Sequence, residues 1–580
     1  MSWLTAVTIL TCVTFLQSLA DRAPVVSTNV GQVQGETDTF SSKFLQGSGD
    51  VYSYRGYHLL KPPINERRFR PAEAMDPWEG VINATEIPPS CPQIYQPFYK
   101  HLYGTNNFSE DCLYLNVFAP RDAFRMRCNR MLDTTIDPTK YHTHSLLPSG
   151  SDFPYNPVPL VFLGDVILVT INYRLNIFGF FSTGDDAIPA NLGLTDQRLA
   201  LKWVNENIEA FGGDPQKVTV FGESAGSACI SWHLLSEESR QYFQRVILQS
   251  GPPYAIWANV LTPEQSRDIA FLAADIGGCT PSVPGDTSGL ADCFRTKLTV
   301  EELLEIHSKV DELFLLGPTV WIATNDGEFF TDDVNTLIEE GAYSNIDILL
   351  GTNKDEGTFC TYLVTGLPEE RPFVSKDFLT FITTGFNDPL VSDLLEAVYA
   401  SGIDQEDNYV GALEDALGDV SFICGTSLLA RNAATAGSTV YMYHMTHEPI
   451  RSLWNVTWLR ASHFEELQFV FGLPFFDDPF YVPVYDEVKI AFYVMRMWTN
   501  FAKSGDPNGP IRLPGSIPEW PRFVPDSEEY KELDIRFNNN RKLRQHHCKF
   551  WIKTLPEIVH LQGAVADQND QGVSTLAPNL

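Results

Sequence analysis

Residues 217–227 read Lys-Val-Thr-Val-Phe-Gly-Glu-Ser-Ala-Gly-Ser, and no other stretch restricts the fold as much. The β-branched and aromatic run from Val218 to Phe221 predicts a strand that stops at Gly222. Ser224 follows two residues later, with Gly226 behind it. This is the strand–turn–helix spelling of a nucleophile elbow. The sharp turn puts the serine in a strained backbone conformation, and the small residues at 222 and 226 let strand and helix pass close to it. The serine oxygen then stands clear of the sheet, and the N–H of Ala225 points at the oxyanion that forms when a carbonyl is attacked. A Gly-x-Ser-x-Gly string alone also occurs in ordinary Gly-rich turns, so the flanks matter. Upstream, Ala200, Val204, Ile208 and Phe211 fall at helical spacing and predict an amphipathic helix over about 195–211, closed by Gly212-Gly213-Asp214-Pro215. Downstream, Val246-Ile247-Leu248 predicts a second apolar strand.

The βαβ-like order implies an α/β fold. A chain of 580 residues exceeds the usual domain size, yet no Gly/Ser linker, low-complexity tract or internal repeat divides it. One large α/β unit with long loop insertions is the simpler reading, and 44% hydrophobic residues suffice for a sizeable core. The formal net charge is −32, from 41 Lys plus Arg against 73 Asp plus Glu. Such a balance argues against nucleic-acid binding, since phosphate repels it. Its simplest consequence is solubility.

The N-terminus predicts a signal peptide over residues 1–20: Leu4 to Leu16 is mostly apolar, and Ser18 and Ala20 are small residues before Asp21. No later run is long enough for a membrane span, and the polar tail over 563–580 holds no lipid-anchor signal. The expected localisation is therefore extracellular. Secretion gives meaning to the ten cysteines and to three Asn-x-Ser/Thr sequons at Asn83, Asn107 and Asn455, expected to be glycosylated loops.

A serine hydroxyl needs a base, and the base needs a carboxylate to orient it. In this fold the chain order is serine, acid, histidine. Strand-like Ile346 to Leu350 leads into Gly351-Thr352-Asn353-Lys354-Asp355-Glu356-Gly357, so Asp355 and Glu356 are both candidate acids. Ser462-His463 precedes the apolar run Leu467 to Phe471, but His444 and His447 compete as bases. Composition does not choose among them.

Several further motifs carry a resemblance. Lys61-Pro62-Pro63 with Arg68-Phe69, Ser109-Glu110-Asp111-Cys112-Leu113-Tyr114-Leu115-Asn116, Asn172-Tyr173-Arg174, Phe221 to Gly226, Asn353 to Gly357 and the region around His463 stand in that order. In this the chain resembles the type-B carboxylesterases, the α/β-hydrolase family that includes the cholinesterases. The resemblance covers residues 21–562 and implies a central, mostly parallel sheet flanked by helices. It implies Ser224 as nucleophile, Glu356 as acid and His463 as base, with Asp355 a bystander, no cofactor or metal, and a small-molecule ester as substrate. It implies disulfides Cys91–Cys112, Cys279–Cys293 and Cys424–Cys548, leaving Cys128, Cys229 and Cys360 outside the pairing, and ion pairs Arg68–Glu110 and Arg174–Asp196. Glu466 fits the family's glutamate after the histidine, but Phe464 stands where the family usually has glycine.

The largest departure lies at 121–148, RDAFRMRCNRMLDTTIDPTKYHTHSLLP, where the family carries the glycines that complete its oxyanion hole. This block has no glycine and none of the expected apolar strand, so either one exon is replaced in the gene model or the hole is genuinely rebuilt. Either way Ala225 is left as the one recognisable oxyanion donor, and the chain as written is expected to turn over slowly or fold poorly. His142, His144 and Cys128 in this block lack a further ligand at metal spacing. Leu102, with Tyr103 beside it, occupies the position of the tryptophan on which cholinesterases bind choline, although Glu223 and Trp458 fit family positions in the substrate pocket. A general carboxylic-ester hydrolase is therefore expected in preference to a cholinesterase. The alternative of another class is a non-catalytic adhesion or binding member of the same family.

Overall fold

The computed structural model describes residues 22–45, 47–94, 107–124, 132–136, 156–255, 257–313, 320–384, 389–401, 408–476 and 484–560. The predicted signal segment, the tail, Leu102, Tyr103, Cys128, His142 and His144 lie outside them.

A 13-stranded sheet organises these residues. It begins with β1 (Arg22–Ser27), β2 (Gln32–Ser41) and β3 (Ser48–His58), with the short β4 (Val81–Asn83) beside β2. It continues through β5 (Tyr114–Pro120), β6 (Leu132–Ile136), β7 (Ile167–Ile171), β8 (Val218–Glu223), β9 (Arg245–Gln249), β10 (Asp347–Asn353), β11 (Thr439–Met445), β12 (Glu529–Leu533) and β13 (Asn539–Arg541). The spatial order is β1-β2-β3-β5-β7-β6-β8-β9-β10-β11-β12-β13. Along this path the pairs from β1 to β7 run antiparallel, with β4 parallel to β2 beside it, whereas every pair from β7 to β12 is parallel. β8 lies across β6 from β7, so the winding direction reverses there. The carboxyl ends of the strands at such a switch point form the natural crevice of an open α/β sheet.

The parallel strands β7, β8, β9, β10 and β11 are buried on both faces, as helical crossovers require. Ile167, Val169, Val218, Val220, Val246, Leu248, Ile348, Leu350, Val440 and Met442 belong to one apolar cluster. The alternate residues Leu168, Phe221, Ile247, Leu349, Tyr441 and Tyr443 belong to another. That is the period-two alternation of a strand with a packed layer on each side. The predicted helix before the elbow runs Leu192–Asn207 and tightens into a 3-10 turn over Ile208–Phe211, ended by Gly212 at φ 87°.

The expectation that 121–148 lacks a central strand is corrected. Leu132–Ile136 is β6, parallel to both β7 and β8. Its sequence, Leu-Asp-Thr-Thr-Ile, is not an apolar run, but Thr134, Thr135 and Ile136 are β-branched, which suits an extended backbone. Between two strands the backbone ladder is satisfied on both sides whatever the side chains are.

All three disulfides implied by the family resemblance are present: Cys91–Cys112, Cys279–Cys293 and Cys424–Cys548. The last closes a separation of 124 residues and ties the Cys424–Thr435 helix to the helix at Gln545–Lys549. Chain-entropy reasoning gives a closure of that length roughly 4–5 kcal/mol. Cys229 and Cys360 remain thiols. Among the described residues no helix is long and apolar enough to cross a membrane, and no group of His, Cys, Asp and Glu is arranged to hold a metal ion.

Candidate active site

Ser224 follows β8 directly, with φ 56° and ψ −123°, a conformation that costs a non-glycine residue of order 1–3 kcal/mol. Close backbone packing holds it. The Ser224 N–H donates to the Gln249 carbonyl at 2.8 Å. A Cβ on Gly222 would meet Gly226 at 2.9 Å, and one on Gly251 would meet the Ser224 carbonyl oxygen at 1.9 Å. The helix Ala225–Leu235 starts at once, and its first N–H groups have no acceptor within the helix.

His463, 1% exposed, lies in the loop after β11. Its Nε2 is 2.9 Å from Ser224 Oγ and its Nδ1 2.7 Å from Glu356 Oε2. Glu356 opens the helix after β10 and is fully buried. Its other oxygen accepts from the Asn353 N–H at 2.7 Å and the Ser250 hydroxyl at 2.5 Å. With Glu356 ionised, Nδ1–H donates to it and Nε2 is left to accept from Ser224. Strand spacing explains the fit. The tips of β8 and β10 are two strands apart, about 10 Å. An imidazole with a hydrogen bond at each end spans that gap.

A second carboxylate shares Nε2, with Glu223 Oε1 at 3.1 Å. Behind the ring, Glu466 accepts from Gln249 Nε2 at 2.9 Å and Asn353 Nδ2 at 2.6 Å. Burial, then the neighbouring Glu356, push its carboxyl up from the usual range. Phe359 stacks against the imidazole with centroids 5.1 Å apart, and Phe422 lies 4.4 Å away. Neither ring was singled out from sequence. Phe359 falls three residues after Glu356 on one helix, a spacing that shares a face and offers a signal. Phe422 comes from a distant π-helical turn and offers none.

The chemistry of the arrangement is that of a hydroxyl relayed through an imidazole to a buried carboxylate. Comparison with known proteins agrees in kind. The sequence model of the Carboxylesterase family matches residues 22–551. The chain belongs to the carboxylesterase family. Among its relatives, acetylcholinesterase of Bungarus fasciatus is 34% identical over 578 residues, covering 97% of this chain and 91% of the relative. Acetylcholinesterase of Danio rerio is 32% identical over 618 residues, covering 97% and 94%. Cholinesterase of Mus musculus is 32% identical over 587 residues, covering 97% and 92%.

Within this carboxylesterase the remaining candidates sort by position. Asp355 faces away from the imidazole: its carboxylate lies 3.0 Å from Arg460 and accepts from the Ala461 N–H at 3.3 Å. It is thus part of the His463 loop's scaffold and not exposed. His444 sits within β11 with Nδ1 3.4 Å from the Thr352 hydroxyl, and His447 pairs with Glu487 at 3.2 Å. Trp458 is half-buried, edge-on to Tyr362 at 6.0 Å, and donates to the Pro368 carbonyl at 3.3 Å. Asn83, Asn107 and Asn455 are all exposed. The two ion pairs carried over from the family are bidentate and well covered: Arg68 to Glu110 with both bonds at 2.6 Å, and Arg174 to Asp196 at 2.8 and 2.6 Å.

The close approach of Gly251 to the elbow gives a stability test. Gly251→Ala drives a methyl into the Ser224 carbonyl and should lower unfolding stability by roughly 1–3 kcal/mol. Gly515→Ala, where a Cβ meets nothing within 4 Å, should change it by less than about 0.5 kcal/mol. Urea denaturation of both variants checks this, and equal midpoints would show that the elbow tolerates the methyl.

Proposed function

We propose that this carboxylesterase is a secreted serine esterase that cleaves small carboxylic esters through an acyl-enzyme on Ser224, with His463 as base and Glu356 as its orienting acid. The hydrogen-bonded chain Ser224–His463–Glu356 is the observation that carries the reading. Nε2 takes the Ser224 proton as Oγ attacks the carbonyl carbon. The imidazolium so formed lies between Glu356 and Glu223, with a carboxylate at each ring nitrogen. The ring then hands the proton to the leaving alcohol. A water repeats the sequence in reverse, and the acid product leaves with Ser224 restored. Extracellular location is supported by the apolar N-terminal segment and by three disulfides.

The assignment of acid is tested by two substitutions. Glu356→Gln places an amide NH2 against Nδ1 and turns the ring's donor toward Ser224, so kcat should fall by about 1,000-fold or more. Asp355→Asn should cost less than about tenfold, since that carboxylate does not meet the ring. Ser224→Ala should abolish labelling by an organophosphate. The reverse ranking of the two acids would mean that the wrong carboxylate was chosen.

The oxyanion hole limits the rate in this reading. β6 ends at Ile136 beside β8, with Thr135 in register with Phe221, so the chain leaves the strand next to the elbow. Residues 137–148 that follow contain no glycine to bring a second N–H close to the reacting oxygen. One missing donor costs on the order of 100- to 1,000-fold in turnover. Replacing residues 137–148 with a Gly-Gly-containing turn should raise kcat for a simple aryl ester by that order. Unchanged turnover would mean that another group completes the hole. The same slow site is what favours the second reading, a non-catalytic binding member; absence of organophosphate labelling in folded protein would support it.

The relatives' names raise choline esters as substrates, and Glu223 supplies negative charge beside His463, with the Phe359 ring stacked on the imidazole; Trp458 packs against Tyr362. Leu102, where cholinesterases place a tryptophan, weighs against that specialisation. The expected result is a kcat/KM for a neutral aryl acetate at least about tenfold above that for acetylthiocholine, since one cation–π face contributes about 1–2 kcal/mol. The opposite order would establish a cholinesterase.

A further inference from the structure

The corner that carries His463 is built on an unfavourable residue. Phe464, next in the chain, has φ 79° and is 2% exposed. That left-handed backbone suits glycine, so something must hold a phenylalanine there. Trp454 is placed to do so. Its indole N–H donates to the His463 carbonyl at 2.9 Å, which fixes the peptide between His463 and Phe464. Its ring lies edge-on to Phe464 at 6.0 Å and 4.8 Å from Phe359, the ring that stacks on the imidazole. Trp454 thus reaches His463 by two routes, directly at its backbone carbonyl and through Phe359 at its ring.

Trp454 is itself held by a carboxylate two residues beyond His463. Glu465 is fully buried. Its Oε1 accepts from the Ser452 hydroxyl, and both of its oxygens accept from the Leu453 N–H at 3.1 Å. Gln468 Nε2 donates to Oε2 at 2.6 Å, and the Trp454 N–H donates to Ser452 Oγ at 3.0 Å. One carboxylate therefore gathers residues 452–454 into the turn that presents the indole. Burial pushes this carboxyl up to about 8, against the pull of its donors and with Glu466 and Glu487 adding to the rise.

We propose that Glu465 and Trp454 are positioning residues for His463: the buried carboxylate pins the 452–454 turn, and the indole locks the His463–Phe464 peptide so that Nε2 faces Ser224. The inference rests on the reading of His463 as the base. Neither residue meets the substrate, so their loss should appear in turnover and not in binding.

The test is steady-state hydrolysis of an aryl ester by Trp454→Phe, Glu465→Gln, Glu465→Leu and the Trp454→Phe/Glu465→Gln double variant, with thermal unfolding of each. Trp454→Phe removes the N–H donor together with one of the two fused rings and keeps an aromatic ring in the pocket. It should stay folded with a lowered unfolding temperature, lower kcat by about tenfold and leave KM within about twofold. Glu465→Gln, which keeps one oxygen for Ser452 and Leu453, should retain more activity than Glu465→Leu. Because the two residues act in series, the double variant should lose no more than the worse single. Multiplying losses in the double variant, a change carried by KM, or full turnover in folded Trp454→Phe would each overturn the proposal. His463→Ala separates the two levels. If it abolishes activity while Trp454→Phe changes nothing, the clamp alone is wrong. If His463→Ala stays active, the base assignment fails and the clamp with it.

Discussion

The geometry of this enzyme turns on one imidazole held between two strand ends. The crossing from Ser224 to Glu356 passes over the tip of β9 and is bridged by hydrogen bonds of 2.9 and 2.7 Å on opposite nitrogens. Parallel strands set that span through their fixed spacing. His463 does not come from a strand between them. It arrives on the loop after β11, beyond β10, and must fold back over the sheet. The elbow at Ser224, the helix start at Glu356 and the loop at His463 are each local solutions to that one demand.

Burying this relay has an electrostatic cost that the surroundings share. Glu223, Glu356 and Glu466 all surround the site below 2% exposure. Burial, and after it these three carboxylates, drive the Tyr443 hydroxyl well above its usual range. Each carboxylate has a specific answer: Glu356 takes Asn353 and Ser250, Glu466 takes Gln249 and Asn353, and Glu223 faces the imidazole. Asn353 serves two of them from the last position of β10, so the end of that strand holds both Glu356 and Glu466 in place. His463 thus has a carboxylate beside each ring nitrogen.

The departures from the family pattern differ in kind. At 132–136 a mixed sequence still forms the strand, because the slot between β7 and β8 supplies partners for its backbone. At 464 a phenylalanine occupies left-handed backbone with its ring packed in the same apolar cluster as Trp454. In both places tertiary context overrides what the residues prefer on their own. The glycines of the family's oxyanion segment are absent from residues 137–148, which lie outside the described residues.

The elbow was legible in the chain because its meaning is local: a β run, glycines two residues either side of a serine, and a helix fit only a few backbone paths. The parallel core was legible too, through apolar strands separated by helical spacing. The choice of acid and base was not, until family resemblance supplied it. Asp355 and Glu356 are adjacent in sequence and differ only in which way a helix start turns them, one toward Arg460 and one toward His463. His444, His447 and His463 look alike as letters, yet one lies in a strand, one pairs with Glu487 and one reaches Ser224. Phe422 and Trp454 join the site from segments with no local mark of it. Strand order and loop return decide such meetings, because contact between residues 239 apart in the chain depends on how the whole sheet is wound.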